Sequence, residues 1–94
     1  MKIEITPLAE ADLDEILRFI SRENPVAAID VVTEILIAID LLVEQPQMGR
    51  PARQRGLREL VAAKHYVIPY RVRGDVVEVL RVWHGRLNWK SRGK

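Results

Sequence analysis

Arg71, Arg81, His84 and Arg86 are the residues of this 94-residue chain whose types could carry out a reaction. Three guanidiniums and an imidazole match what RNA cleavage by the 2′-hydroxyl requires. That reaction needs cations around a pentacovalent phosphate and a group near its pKa to move a proton. His84 suits the second role, because an unperturbed imidazole titrates at about 6.5. Trp83 and Trp89 flank the same stretch and could stack on bases. The structural alternatives are a strand-end histidine bonded to a carbonyl, a core tryptophan and a set of arginines that meets a protein. His65 is given no role. Other chemistries lack their residues: with no cysteine there is no thiolate nucleophile, thiolate zinc site or disulfide, and two histidines make a metal site unexpected. Neither metal nor cofactor is expected. Asp12, Asp14 and Glu15 read as the outer face of a helix, their charge favourably near its N-terminus, with nothing placing them beside the basic residues.

The charge is unevenly distributed. Residues 1–48 hold ten acidic and three basic side chains, a net −7, and residues 49–94 hold three acidic and twelve basic, a net +9. Arg50, Arg53, Arg55 and Arg58 crowd a stretch that also contains Gly49, Pro51 and Gly56, so it reads as a solvated loop with nothing apolar to anchor it. A basic half of this kind implies an anionic or acidic partner.

The elements that must position these residues follow from periodicity. Residues 1–94 make one domain, since a single core suffices at this length. Lys2 to Thr6 alternates polar and apolar, as a half-buried strand does. Thr6-Pro7 and Asn24-Pro25 each supply an N-cap followed by proline at the first helical position. The apolar stripe Leu13, Ile16, Leu17 and Ile20 then predicts a helix from Pro7 to about Arg22. Ala28, Val31, Val32, Ile35, Leu36, Ile39, Leu42 and Val43 predict a second helix, buried on most sides and stopping before Pro46. The short connection makes residues 7–45 an αα-hairpin. No signal-peptide pattern is present at Met1 to Thr6, and the longest apolar stretch falls far short of the ~20 residues needed to span a bilayer. A cytoplasmic protein with no membrane association is expected.

Leu57 to Ala63, Tyr66 to Val72 and Val76 to Trp83 predict three strands, the last two joined at Gly74-Asp75. That register pairs 72 with 77, 70 with 79, 68 with 81 and 66 with 83 on a core-facing side, and 71 with 78 and 69 with 80 on an open side. The core side then receives Trp83 but also Arg81, which requires a partner below the sheet, a bulge, or another register. The open side carries Val67, Pro69, Arg71, Arg73, Glu78, Leu80 and Val82. Pro69 lacks the N–H that a ladder bond needs. The fold class is α+β, β-α-α-β-β-β, with the helical hairpin packed on one face of a small, mainly antiparallel sheet.

Several pieces in this order are familiar: Ala11-Asp12-Leu13 with Ile16 and Ile20, Asn24-Pro25-Val26-Ala27-Ala28, Gln45-Pro46-Gln47-Met48-Gly49-Arg50-Pro51, Leu57-Arg58-Glu59-Leu60, Tyr66 to Val72, and Val79 to Arg86. Through them nearly the whole chain resembles the RelE/ParE superfamily of bacterial toxins from type II toxin–antitoxin modules. The resemblance implies a toxin held in a hetero-oligomer by a cognate antitoxin, with operator DNA reached only through that antitoxin. It implies antitoxin docking on the helical hairpin and on Leu57, Arg58, Leu60 and Arg71. RelE-like members cut mRNA on the ribosome, whereas ParE-like members inhibit DNA gyrase without nuclease activity. RelE-like nucleases carry basic side chains on the middle strands and a tyrosine or histidine near the C-terminus. Here Val67 and Pro69 take the middle-strand positions and the tail has no tyrosine, which favours the ParE-like branch. On that branch no catalytic residue is expected, and Arg81, His84, Arg86 and Trp89 engage gyrase. On the RelE-like alternative, with the ribosome and mRNA as target, Arg71, Arg81, His84 and Arg86 form the nuclease site.

Overall fold

The computed structural model describes residues 1–85. Two elements begin as their caps dictate. Thr6 Oγ1 accepts from Ala9 N–H at 3.3 Å and opens α1 (Pro7–Ser21), and Asn24 Oδ1 accepts from Ala27 N–H at 3.0 Å and opens α2 (Pro25–Asp40). A 3₁₀ turn over Leu41–Val43 finishes the hairpin. The strands are β1 (Lys2–Ile5), β2 (Arg50–Pro51), β3 (Arg58–Ala62), β4 (Tyr66–Arg73), β5 (Val76–Val79) and β6 (Trp83–His84). They form one sheet in the order β1-β5-β4-β3-β2, with β6 continuing on β4 past the end of β5. Among the described residues only β1 with β5 is parallel; the other pairs are antiparallel. The expected α+β order is present, with β2 and β6 as additional two-residue strands.

The helices and the sheet enclose a core of Leu13, Ile35, Ile39, Leu42, Leu60, Ile68, Tyr70, Val77, Val79 and Val82. Contrary to expectation, α2 is not buried on most sides. Ala28, Ile35 and Ile39 are buried, but Val26, Ile29 and Ile37 are 69%, 61% and 59% exposed. The stripe on α2 is wider than α1 and a small sheet can cover, and a contiguous apolar surface of this kind is characteristic of an interface.

The hairpin register holds at 70↔79, 71↔78 and 72↔77, with Gly74 in the left-handed region at φ +60°. It then slips by one residue. Leu80 N–H still donates to Pro69 O at 2.9 Å, but Tyr66 pairs with His84 and Val67 with Trp83. The predicted single strand from Val76 to Trp83 is therefore two strands separated by a bulge at Leu80–Val82. The extra residue inverts the alternation beyond it. Val82, expected on the open side, is a core residue at 2% exposure, and Trp83, expected in the core, is half-buried. Val67 and Pro69 are also buried rather than lining an open surface, with Val67 lying against Gly85. Pro69 is accommodated because its missing N–H would point at Leu80 O. Thr6 Oγ1 lies 3.1 Å from that carbonyl and 2.9 Å from Val79 O, so the α1 cap shares its proton there instead.

The loop after α2 is anchored, against expectation. Tyr70 is fully buried; its hydroxyl accepts from Gly49 N–H at 2.9 Å and donates to Pro46 O at 2.7 Å. Gly49 is required there, since a Cβ would lie 2.7 Å from the Tyr70 ring and 2.8 Å from Glu59 O.

The turn between β3 and β4 places two non-glycine residues at positive φ, Ala63 at +50° and Lys64 at +70°. Each is strained by contact between Cβ and carbonyl. Lys64→Gly should therefore raise stability by about 0.5–1 kcal/mol, read as a higher urea midpoint. An unchanged or lower midpoint would show that the turn is relaxed as it stands.

Candidate functional site

Where α1 crosses the bulge, a groove of about 430 Å³ opens between the helix and the end of the sheet. Asp12, Glu15 and Phe19 form one wall and Tyr66, Arg81, Trp83 and His84 the other. The bulge turns Arg81 toward α1, where Asp12 takes it in a bidentate pair: Arg81 Nε donates to Oδ2 at 2.8 Å and Nη2 to Oδ1 at 3.0 Å. Asp12 Oδ2 also accepts from Val82 N–H at 2.9 Å, so one carboxylate fixes both the side chain and the bulged backbone. The hydrogen bonds it donates to Asp12 hold the Arg81 guanidinium above its ordinary pKa, against the opposing effect of partial burial. Asp12 was expected on the outer helical face, away from the basic half, and this contact corrects that. Its signal is in the sequence: Asp12 lies three residues after Ala9 and four before Ile16, within the stripe that faces the core.

Arg81 lies over the Trp83 ring, with Cζ 5.1 Å from the centroid. His84 is sandwiched in a small aromatic group. His65 stacks on it at 5.6 Å and 22°, and Tyr66 meets it edge-on at 5.3 Å and 79°. Burial pushes the Tyr66 phenol above its usual pKa, so it stays neutral throughout the physiological range. Gly85 N–H donates to His65 O at 2.6 Å, which fixes where the chain leaves the sheet. His65, given no role from sequence, thus stacks on a residue of the groove; no local spacing marks it, because β6 brings His84 to it across the sheet.

The other assigned residues lie elsewhere. Arg71 Nε donates to Glu78 Oε1 at 2.6 Å on the far side of the sheet, with Arg73 3.5 Å from the same oxygen. Hydrogen bonding from Arg71 holds the Glu78 carboxyl below its ordinary pKa. Arg58 Nη1 donates to Gly49 O at 2.7 Å, and Leu57 is half-buried beside it. Leu60 is a core residue at 7% exposure, so β3 presents Val61, 48% exposed, and the backbone edge that β2 leaves uncovered beyond Glu59, rather than the Leu60 side chain. Arg86 and Trp89 lie outside the described residues. Among the described residues no group of three or more potential metal ligands occurs, and no helix is long and apolar enough to cross a membrane.

The groove brings together Arg81 and His84 and leaves Arg71 at a distance. Its cation is already neutralised by a carboxylate, and each wall carries at least one aromatic side chain. Phe19, 70% exposed, stands on the groove's α1 wall.

Comparison with known proteins agrees with this architecture. A family model described as the ParE toxin of the type II toxin–antitoxin system parDE matches residues 3–89. Y4kP of Sinorhizobium fredii is 45% identical over 89 residues, covering 94% of this chain and 92% of that protein. Toxin RelE2 of Caulobacter vibrioides is 40% identical over 76 residues, covering 81% of this chain and 85% of that protein. A chain from the chromosomal ParDE toxin–antitoxin system of P. aeruginosa superposes with a TM-score of 0.78 at 30% identity, covering 89% of this chain and 95% of that one. Relatives therefore carry both branch names. The chain belongs to the ParE toxin family, within the RelE/ParE superfamily of type II toxin–antitoxin toxins.

Proposed function

We propose that this toxin inhibits DNA gyrase by direct binding through the groove between α1 and the bulged strand, and that it has no chemistry of its own. The observation that carries this reading is the state of the two arginines named for phosphate chemistry that lie among the described residues. Arg81 is closed bidentately by Asp12 and Arg71 is held by Glu78. A pentacovalent phosphate would be drawn to cations free of carboxylates and repelled by Asp12 beside Arg81. A protein partner instead needs aromatic anchors and a rim of fixed polar groups, which Phe19, Trp83, Arg81 and His84 supply. Arg86 and Trp89, outside the described residues, are assigned to the same target contact. The antitoxin, which a ParDE-type toxin implies as partner, is assigned to the exposed apolar stripe of α2 and to the Leu57–Val61 edge with Arg58 and Arg71.

The test sets the purified chain against two targets. Gyrase supercoiling should be inhibited and restored by antitoxin, while mRNA on programmed ribosomes stays intact. Codon-positioned cleavage of that mRNA, with supercoiling unaffected, would overturn the proposal in favour of the interferase.

A further inference from the structure

The two ends of β4 differ in kind. The strand has eight residues, so at about 3.3 Å per residue its ends lie roughly 23 Å apart. Tyr66 begins it at the groove, where the exposed aromatics are. At the other end Arg71 shares a cleft with Gly56, in the loop that carries Arg53 and Arg55, and Arg73 closes the strand, both arginines lying beside Glu78. Arg53 and Arg55 are exposed, with no carboxylate in ion-pair reach among the described residues. Arg58 is fixed by backbone carbonyls, which orient its guanidinium without neutralising it. Between Arg58 and Arg71 a cleft of about 150 Å³ opens, with Gly56 on its rim at φ +84° and nothing within 4 Å of where a Cβ would stand.

We propose that this arginine end holds the phosphate backbone of duplex DNA. Guanidiniums fit phosphate oxygens bidentately, and their number and spread, not a single pocket, set such affinity. The described residues of this end include no aromatic side chain on the surface, so it lacks the stacking platforms of a single-strand binder. The proposal rests on, and deepens, the gyrase reading: gyrase works on duplex DNA, and a toxin with a protein-binding groove at one end and a phosphate-binding end opposite could engage both components at once. Contacts of this kind carry no sequence information, so they are separate from operator recognition.

The test needs no gyrase, so its failure is distinguishable from failure of the gyrase reading. The full chain is titrated against a short labelled duplex of arbitrary sequence by fluorescence anisotropy at a series of salt concentrations. Log affinity should fall linearly with log salt, with a slope of about −0.9 per phosphate engaged. Arg53→Gln with Arg55→Gln should reduce the slope by about two and the low-salt affinity on the order of tenfold or more, whereas Arg73→Gln, whose guanidinium lies 3.5 Å from Glu78 Oε1, should change the slope by less than one. These positions avoid Arg58 and Arg71, which the fold and the antitoxin assignment also use. Removing two charges on α1 instead, with Arg18→Gln and Arg22→Gln, should leave the slope unchanged. An equal effect from the α1 pair, or no effect from the loop pair in variants with an unchanged thermal midpoint, would overturn the proposal. So would polyglutamate competing as well as unlabelled duplex of the same charge, because that outcome assigns the surface to an acidic protein segment.

Discussion

Tyr70→Ala is expected to lower the unfolding free energy by about 3–5 kcal/mol, the range for truncating a fully buried aromatic side chain. A domain of this size has on the order of 5–15 kcal/mol in total, so the variant should sit at the edge of folding. Two effects are combined in that figure, and Tyr70→Phe separates them. Phenylalanine keeps the ring among Ile35, Leu60, Ile68 and Val79 but leaves Gly49 N–H and Pro46 O without the hydroxyl that joins them. Losing a buried hydrogen-bonding group costs about 1–3 kcal/mol, so Phe should account for roughly a third to a half of the alanine effect. The loss should also be local. The Pro46–Gly49 loop hands the chain to β2 and presents the carbonyl that orients Arg58, so amide exchange at Gly49 and Arg50 should accelerate more than exchange in α2. Urea unfolding of the two variants measures the first expectation and hydrogen exchange the second. A Phe variant as stable as the parent would mean that water replaces the hydroxyl, and the loop would not be anchored by Tyr70.

The loop anchor shows where sequence reasoning stops. Local features were legible because their causes are local: both N-caps with their prolines, the turn at Gly74-Asp75, and the register 70↔79 to 72↔77 that follows from it. The Tyr70 link joins positions 21 and 24 residues apart, and neither Gly49 nor Pro46 carries a mark of it beyond being turn residues. The bulge at Leu80–Val82 falls between these cases. One extra residue in a run of β-branched side chains leaves composition and hydropathy unchanged, so the run reads as one strand. Two misfits nevertheless pointed to it, an arginine on the core-facing side and a proline without its ladder donor. Both are resolved by the same slip, which turns Arg81 to α1 and gives Leu80 O to Thr6. The wide stripe of α2 was legible as apolar but not as exposed, because exposure depends on how much surface the rest of a small domain can cover. Of the site, Arg81 and His84 were found by residue type, whereas Asp12, His65, Tyr66 and Phe19 come to them only through the bulge and the helix crossing.

Asp12→Ala should be the more damaging half of the Asp12–Arg81 pair. Truncating Asp12 leaves the Arg81 guanidinium, one third exposed, without its carboxylate and removes the acceptor for Val82 N–H. Charge-assisted hydrogen bonds contribute about 1.5–3 kcal/mol each when buried. Because this pair is partly solvated, a total of about 2–3 kcal/mol is expected rather than the sum of three. Arg81→Ala leaves Asp12 bonded to Val82 N–H and open to water on the vacated side, so about 1–2 kcal/mol is expected. The double variant should cost less than the two singles together, by a coupling of about 1 kcal/mol. The exchanged pair Asp12→Arg with Arg81→Asp can restore the ion pair but not the bond to Val82 N–H, because a guanidinium accepts nothing. It should therefore recover only part of the stability, and the bulge should remain more open to amide exchange. Function separates the partners further. Asp12, 15% exposed and turned inward, is a positioning residue, so Asp12→Asn, which retains an acceptor for Val82 N–H, should preserve more gyrase inhibition per folded molecule than Arg81→Gln, which removes the cation over Trp83. Equal inhibition by these two variants, at matched folded fractions, would mean that Arg81 serves the fold alone and that the target reads the aromatic wall without it.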